Sequence, residues 1–377
     1  MNPTPPFPIR EAHAHIAAHA RELAMLNLAD CPSREEALER VRAEASRLRA
    51  ARAPGWLVAS GLRPEGWPEA RWITRDELDA ACPDRPAFVM SFDHHSGCVN
   101  RRAFAAAGFE DASPDPAGGV IVRDARGAPT GLLLEEAFNI ARRAIPEPTM
   151  DEWLEIVARG VTDLASHGFV EVHDLLTLPG QGEVFAKLDR DGRLPIRVLL
   201  YAPWDSIEAE FERARRYQTP RVRLAGGKMF ADGTLNSRTA WMLSPYRDPH
   251  PGMPVGKPMV TPEQIDEAIA RCAKLGLHLA THAIGDGAVR AVLDAYARAG
   301  GRTLAESELL PGVRGRIEHL ELVDERDVPR FAAMGIAASV QPCHLLYDIE
   351  VLERALPDRL DRVLPMRELI GAGCVPG

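Results

Sequence analysis

The chain has 377 residues, a length that suits one large α/β barrel or two ordinary domains. Its apolar fraction of 46% supports a substantial core. Its net charge of −9 argues against a nucleic-acid-binding surface, which needs clustered basic residues. No apolar run approaches the roughly 20 residues of a membrane span. We therefore expect a protein whose partner is a small-molecule substrate, with no nucleic acid and no membrane; a homo-oligomer is compatible with the sequence.

The N-terminus and the cysteines indicate a reducing compartment. The opening residues lack the positively charged region and apolar run of a secretory signal. The six cysteines are scattered and form no C-x-x-C pair, which favours reduced thiols over a disulfide framework. We predict a cytoplasmic location.

The first predicted strand, residues 12–16, carries His13 and His15. Alternate residues of a strand point to the same side, so the two imidazoles share a face. At the C-terminal end of a barrel strand, such a pair suits a divalent metal. An isolated His-x-His is nevertheless more often a pair of surface histidines. His19 falls on the following helix or loop and is interpreted as structural.

Residues 17–148 separate the first two predicted strands by far more than one helix needs. This insert begins with a helix whose N-cap is Ser33, with Glu36 three residues later. A strand in "AFVMSFDHH" and a hairpin near "VRDARGAPTGLLLEE" follow. We predict a lid or subdomain over the mouth of a barrel.

The rest of the chain, residues 149–377, repeats one unit: a capped amphipathic helix, a glycine and a short apolar strand. Thr149 with Glu152 and Thr261 with Gln264 have the spacing of a capping box. Repeated helix–Gly–strand units indicate parallel strands with crossover helices. The eight predicted strands are 12–16, 169–174, 196–201, 226–232, 277–283, 315–320, 336–341 and 374–377. This count predicts an α/β fold, a (β/α)8 TIM-type barrel with residues 1–16 as its first strand.

Three polar residues near the ends of later strands are candidate partners for the His-x-His pair. His282 ends "LHLATH" and His319 ends "GRIEH", at the rim where barrel enzymes place catalytic groups. Lys228 lies among apolar residues and glycines in "RLAGGKMFADG". Burial would leave its amine neutral and nucleophilic, and carboxylation by CO2 would make it a metal ligand. The alternative is an ion pair with Asp232 or another acid.

Several segments together resemble one known family: "EAHAHI", "GFVEVHD", "GGKMFADGTLNSRTAWMLSPYRD", "THAIGDGAVRAVLDAY", "RIEHLELVDERDVPRFAAMGIAASVQP" and, in the insert, "SFDHHSGCVNRRAF". They closely resemble the amidohydrolase superfamily, and most of all its family 3 branch of N-substituted amide hydrolases. The resemblance runs from about residue 11 to the end. "HAIGD" and "DGTLNSRTA" are the segments most specific to the branch.

The resemblance implies a metallohydrolase barrel and a ligand set. His13 and His15 would hold one divalent metal, with zinc as the first choice. Carboxylated Lys228 would bridge to a second ion, which His282 and His319 would complete. One or two ions are compatible with the sequence.

Two departures from the family pattern bear on the site. Relatives carry extra strands before His-x-His as part of a flanking β-sandwich, and only a dozen residues precede it here, so we expect the sandwich to be absent or incomplete. The family also places an Asp just after the eighth strand begins, as metal ligand and proton shuttle. We expect this catalytic Asp beyond Gly377; the alternative is a site that lacks its usual base.

The leading hypothesis is metal-dependent hydrolysis of an amide-like C–N bond. Deamination of an aminated ring and a catalytically silent barrel with a binding or regulatory role are the alternatives. The matched motifs place His95, Arg238 and Gln341 near the substrate. A solvent-exposed lid histidine is the alternative for His95, and an ion pair within its own loop is the alternative for Arg238. Asp286 is expected to be a helix N-cap rather than an acid supporting the site.

Overall fold

The structure is a computed structural model that describes residues 8–92, 96–249, 252–300, 304 and 309–374. The chain divides into two compact units. One comprises Ala18–Arg159, and the other comprises the residues before and after it. Helix Met150–Ser166 crosses the second boundary, which is why the structural boundary differs from the predicted one at 148/149.

Thirteen strands are present in the described residues: β1 (Ile9–Ala14), β2 (Leu26–Asn27), β3 (Leu57–Leu62), β4 (Ala87–Ser91), β5 (Ser96–Val99), β6 (Gly119–Arg123), β7 (Pro129–Glu135), β8 (Phe169–Leu175), β9 (Arg197–Pro203), β10 (Val222–Phe230), β11 (His278–Ala283), β12 (Gly315–His319) and β13 (Ile336–Val340).

The helices of the same residues are α1 (Ile16–Ala24), α2 (Arg34–Ala50), α3 (Arg75–Ala81), α4 (Arg101–Ala106), α5 (Glu136–Arg143), α6 (Met150–Ser166), α7 (Gln181–Arg190), α8 (Ile207–Tyr217), α9 (Pro262–Lys274), α10 (Asp286–Arg298), α11 (Val328–Met334), α12 (Leu345–Ala355) and α13 (Met366–Gly371). Short 3-10 helices occupy Pro64–Gly66, Trp204–Ser206, Pro342–His344 and Leu360–Arg362.

Seven strands form a nearly closed, barrel-like parallel sheet in the order β1-β8-β9-β10-β11-β12-β13. Every neighbouring pair in this sheet is parallel. The crossover helices account for this because parallel neighbours cannot be joined by a tight turn. Of the eighth predicted strand, only Cys374 is described, and it is not in a strand.

Local sequence signals set the ends of the crossover helices. Thr261 and Gln264 form both hydrogen bonds of a capping box at the start of α9. Gly335, with φ of 72°, ends α11 in the left-handed conformation that glycine adopts without strain. Strand β13 begins at the next residue, so the helix–Gly–strand pattern of the sequence is realised here.

The unit formed by Ala18–Arg159 contains a second, mixed sheet in the order β2-β3-β4-β5-β7-β6. Strands β6 and β7 form the predicted antiparallel hairpin. Ser33 caps α2 by accepting a hydrogen bond from the Glu36 backbone N–H. Apolar side chains fill the core of this unit.

Two further observations concern the described residues. No helix among them combines the length and the apolar composition needed to cross a bilayer. All six cysteines are described, and all are free thiols.

Candidate metal centre

The predicted ligands lie near the carboxyl ends of four strands of the parallel sheet. Three of these strands, β10, β11 and β12, are neighbours, and the fourth is β1. His13 is near the end of β1 and His15 follows it, whereas His282 and His319 lie at the ends of β11 and β12. Strand register aligns Phe230 with His282 and Ala283 with His319. Lys228 lies two residues before Phe230 on β10, so the four strands bring these side chains to one rim.

The histidine rings are close to one another. The ring centroids of His282 and His319 are 4.4 Å apart, and those of His13 and His319 are 4.7 Å apart. The centroid distance between His13 and His15 is 5.5 Å. Burial lowers the pKa of His282 to about 3 and also lowers the pKa of His319. The cluster therefore presents neutral imidazoles, the form that binds metals.

Lys228 is buried, and its Nζ atom contacts the ring of Phe230 at 4.9 Å from the centroid. Its side chain is 2% exposed, and its Nζ atom has no hydrogen-bond partner among the described residues. Burial lowers the pKa of this amine to about 8, against the opposing influence of Glu318. The predicted alternative, an ion pair with Asp232, does not form. An unpaired buried ammonium is costly, so the site favours a neutral or modified amine.

Asp232 instead holds the loop after β10. Its carboxylate accepts hydrogen bonds from the backbone N–H groups of Trp241, Ile284 and Gly285 at 2.8 to 3.0 Å. Its Oδ1 atom lies 3.6 Å from His282 Nε2. Burial raises the pKa of Asp232 to about 7, although the three hydrogen bonds oppose this shift. Asp232 thus ties two rim loops together.

Glu318 and Arg316 support His13 from within the sheet, and sequence analysis missed both. His13 Nδ1 lies 2.8 Å from Glu318 Oε2, so the Nδ1–H tautomer donates and leaves Nε2 with a free lone pair. Arg316 donates to the other oxygen of Glu318 at 2.9 Å and to the Ala12 carbonyl at 2.7 Å. Burial would raise the pKa of Glu318, but Arg316 and His13 hold it well below its usual range.

A polar network continues from Arg316 into the interior of the sheet. The guanidinium donates to His173 Nδ1 at 2.6 Å and to the Tyr201 hydroxyl at 3.1 Å. The Tyr201 hydroxyl in turn lies 2.9 Å from His278 Nε2. These side chains are all buried, and their hydrogen bonds fix the orientation of Arg316 in addition to its contact with Glu318.

The backbone bends sharply after β12. His319 and Leu320 have φ values of 76° and 52°, a left-handed conformation that costs roughly 1–2 kcal/mol per non-glycine residue. The Leu320 N–H is nevertheless bonded to the Ala283 carbonyl at 3.2 Å, which anchors the bend to β11. Strain of this kind persists only where surrounding contacts fix it, and it is common at functional sites.

The three predicted substrate residues have different environments. His95 lies outside the described residues. Arg238 donates two hydrogen bonds to Asp248, at 2.8 and 3.0 Å. This ion pair within its own loop is the predicted alternative to a role in substrate binding. Gln341 follows β13, donates to Ser339 at 3.2 Å and has a buried Oε1 atom without a partner among the described residues.

Asp286 is not the helix N-cap that the sequence analysis predicts. The N-cap of α10 is Gly285, and Asp286 is the first helical residue. Its carboxylate accepts from the Leu243 N–H at 2.8 Å. The prediction was wrong because a loop distant in sequence supplies a donor that the helix itself does not.

The buried donor set fits a divalent cation. The close neutral imidazoles, and the buried Nδ1 atom of His319 that has no partner among the described residues, are suited to a metal. Lys228 fits the same set as a neutral amine or as a carbamate, because an ammonium repels a cation. Its unpaired and buried Nζ atom is compatible with that modification.

One family profile and several known proteins are similar to this chain. The profile of the amidohydrolase family matches residues 5–376. YtcJ from Bacillus subtilis is 29% identical over 369 residues, covering 96% of this chain and 67% of that protein. The N-substituted formamide deformylase from Arthrobacter pascens is 26% identical, with 96% of this chain and 68% of the deformylase covered.

A solved structure shares the fold. It is an uncharacterized metal-dependent hydrolase from Pyrococcus furiosus, with a TM-score of 0.77 and 25% identity. The match covers 98% of this chain and 72% of that hydrolase. The chain thus spans about two thirds to three quarters of the length of these three proteins.

Proposed function

The chain belongs to the amidohydrolase family, and we propose that it is a metal-dependent hydrolase that cleaves the C–N bond of a small amide-like substrate. The observation that carries the proposal is the buried group of three close histidine rings beside an unpaired lysine at one rim of the parallel sheet. A purely structural cluster would be expected to satisfy its buried polar atoms internally.

His13 and His15 would hold one ion, and His282 and His319 would hold a second. Lys228 would join the two as a carbamate. A divalent metal bound here supplies Lewis acidity, which polarises a carbonyl and activates water at neutral pH. Zinc is our first choice because imidazole and carboxylate oxygen are ligands that it favours.

The protein's own side chains hold the ligands in a fixed state. Glu318 accepts the Nδ1 proton of His13 and so directs Nε2 toward the pocket. Arg316 keeps Glu318 ionised and oriented through its hydrogen bond at 2.9 Å. The Gly233 carbonyl, 3.0 Å from His282 Nε2, fixes the orientation of that ring in the same way.

The substrate class is proposed from the family and from one relative. The name of the Arthrobacter pascens relative states N-substituted formamide deformylation, so N-substituted formamides and short N-acyl amines are the first compounds to test. Gln341, with an unpaired buried amide oxygen at the end of β13, is the proposed contact for a donor on the substrate.

The test combines metal analysis with two substrate panels. The purified chain should contain at least one divalent ion and release amine from formamides or N-acyl amines. His13→Asn should lower both metal content and turnover, whereas His19→Asn, on α1, should leave both unchanged. Release of ammonia from ring amines without amide cleavage would favour the deaminase, and no metal and no turnover would contradict the proposal.

A further inference from the structure

A second group of metal-ligating side chains lies beyond the histidine centre, and we call Glu321, His344 and Asp348 the second cluster. One ligand atom from each residue can be chosen so that all lie within 4.8 Å of one another. His344 Nδ1 is 2.7 Å from Glu321 Oε1. Glu321 follows β12, His344 ends the 3-10 helix after β13, and Asp348 lies in the first turn of α12.

The two carboxylates of the second cluster are buried without a cationic side chain of Lys or Arg. Glu321 is 3% exposed and Asp348 is 8% exposed. Among the described residues neither forms an ion pair with Lys or Arg. Two other buried acids of this chain have such partners: Glu318 pairs with Arg316 at 2.9 Å, and Glu171 pairs with Arg197 at 2.8 Å. Asp232, in contrast, is buried with three backbone N–H donors.

Two neighbouring buried carboxylates repel each other unless a proton or a cation lies between them. Asp348 accepts a hydrogen bond from Asn236, but a neutral amide supplies no compensating charge. The described residues thus supply one imidazole, and no Lys or Arg side chain, to balance two buried carboxylates. A bound cation is the physical complement of this arrangement.

One member of the second cluster contacts the histidine centre. The rings of His344 and His319 are stacked, with centroids 4.9 Å apart and an interplanar angle of 25°. His319 is 7% exposed, and its buried Nδ1 atom has no partner among the described residues. The histidine centre and the second cluster are thus in direct contact through these two rings.

We propose that Glu321, His344 and Asp348 bind a divalent cation at a site distinct from the histidine centre. One imidazole and two carboxylates suit Mn²⁺ or Zn²⁺, with water completing the coordination. Ligands about 2.0–2.2 Å from one ion are at most about 4.4 Å apart, so atoms up to 4.8 Å apart would have to move closer, and the hydrogen-bonded pair of His344 and Glu321 would have to separate slightly. The ion would join the segment after β12 to the start of α12.

The experiment measures Mn²⁺ binding to the full 377-residue chain after removal of metals with a chelator. A His13→Asn/His15→Asn double variant weakens the histidine centre, and electron paramagnetic resonance then reports the remaining bound Mn²⁺. This protein should still bind one ion. Adding Asp348→Asn should weaken its affinity by about 100-fold or more, since a ligand is lost. Glu350→Gln, an exposed acid on the same helix, should change nothing.

Equal Mn²⁺ affinity in the Asp348→Asn and Glu350→Gln proteins would overturn the proposal. If the double variant does not fold, the same comparison is made in the otherwise unchanged chain, where Asp348→Asn should bind one ion fewer. A chain that hydrolyses no amide but binds an Asp348-dependent ion would contradict the proposed function and support the second site. Amide hydrolysis with no Asp348-dependent ion would do the reverse.

Discussion

Strands β4 and β12 are both five residues long and fully buried, yet they differ in chemistry. β4 reads AFVMS and packs apolar side chains into the mixed sheet. β12 reads GRIEH and places Arg316, Glu318 and His319 inside the parallel sheet. Burying an apolar strand stabilises a fold, whereas burying three ionisable groups costs free energy unless each is paired. The difference distinguishes a strand that contributes an apolar core from a strand that carries residues of the candidate site.

Two buried polar side chains, Asn100 and Lys228, differ in the same way as the two strands. Asn100, in the unit of the mixed sheet, bonds the backbone N–H groups of Ala87 and Ala103 and the carbonyls of Cys82 and Arg85 at 2.9 to 3.0 Å. The Nζ atom of Lys228 has no hydrogen-bond partner in the described residues, and lies 4.9 Å from the centroid of the Phe230 ring. A buried polar group that is fully satisfied contributes to folding, and one left unsatisfied indicates a ligand or a modification.

Lys228→Met should have the largest effect. Metal content and amide turnover should fall at least about 100-fold, because a ligand is removed from the proposed centre. The metal-free protein should become roughly 1–3 kcal/mol more stable, because an unpaired buried ammonium is replaced by an apolar chain. Metal analysis, steady-state kinetics and urea unfolding measure the three quantities. Lys274→Met, at an exposed position, is the control, and unchanged metal content in Lys228→Met would contradict the assignment.

Asn100→Ala should change stability in the opposite direction. The free energy of unfolding should fall by about 2–4 kcal/mol, because four buried backbone groups lose their partner. Metal content per folded protein should not change. Urea unfolding checks this against Asn27→Ala, which removes one exposed hydrogen bond. A gain in stability would mean that Asn100 is not structural.

Glu318→Gln should weaken the centre without removing a ligand. The amide can still accept from His13, but its N–H2 group faces Arg316, so His13 loses its fixed orientation. Metal affinity should fall about 10–100-fold, as is common when the partner of a ligating histidine is changed. Competition with a chelator measures the affinity, and Glu353→Gln on the exposed face of α12 is the control. If only stability changed, Glu318 would be structural.

Removing one helix cap in each unit should have the smallest effect on stability, and the effect should be the same in both units. Thr74→Ala and Thr261→Ala each remove a capping box, one at α3 and one at α9. Each should lower the free energy of unfolding by about 1 kcal/mol, and neither should change metal content. Thermal unfolding with a bound-metal assay tests both. A much larger loss for Thr261→Ala would show that the difference between the units extends to their local structure.

Most of the parallel sheet could be predicted because its signals are local. Capping residues and glycines mark the helix ends, and seven of the eight predicted strands lie within a few residues of β1 and β8–β13. The start of β10 was placed too late, since Arg223 interrupts the apolar pattern while its Nε atom bonds Gln218 at 3.1 Å. Such a contact is not visible in a pattern of hydropathy.

Only the site residues that belong to a short sequence motif could be predicted. His-x-His and the strand-end histidines are apparent in the sequence. Glu318 is not, because its role depends on His13, which is 305 residues away. His344 and Asp348 were missed since they follow Pro342 in a segment with no repeated pattern. Long-range partners become evident only when the sheet brings the strand ends together.

The separation of His13 from Glu318 along the chain also matters during synthesis. A ribosome adding about 5–20 residues per second needs roughly 15–60 s to travel between them. Throughout that interval the nascent His-x-His lacks the carboxylate that fixes its tautomer and the histidines that would surround it. An ion at the proposed centre could therefore meet its complete set of ligands only after β12 has joined the sheet.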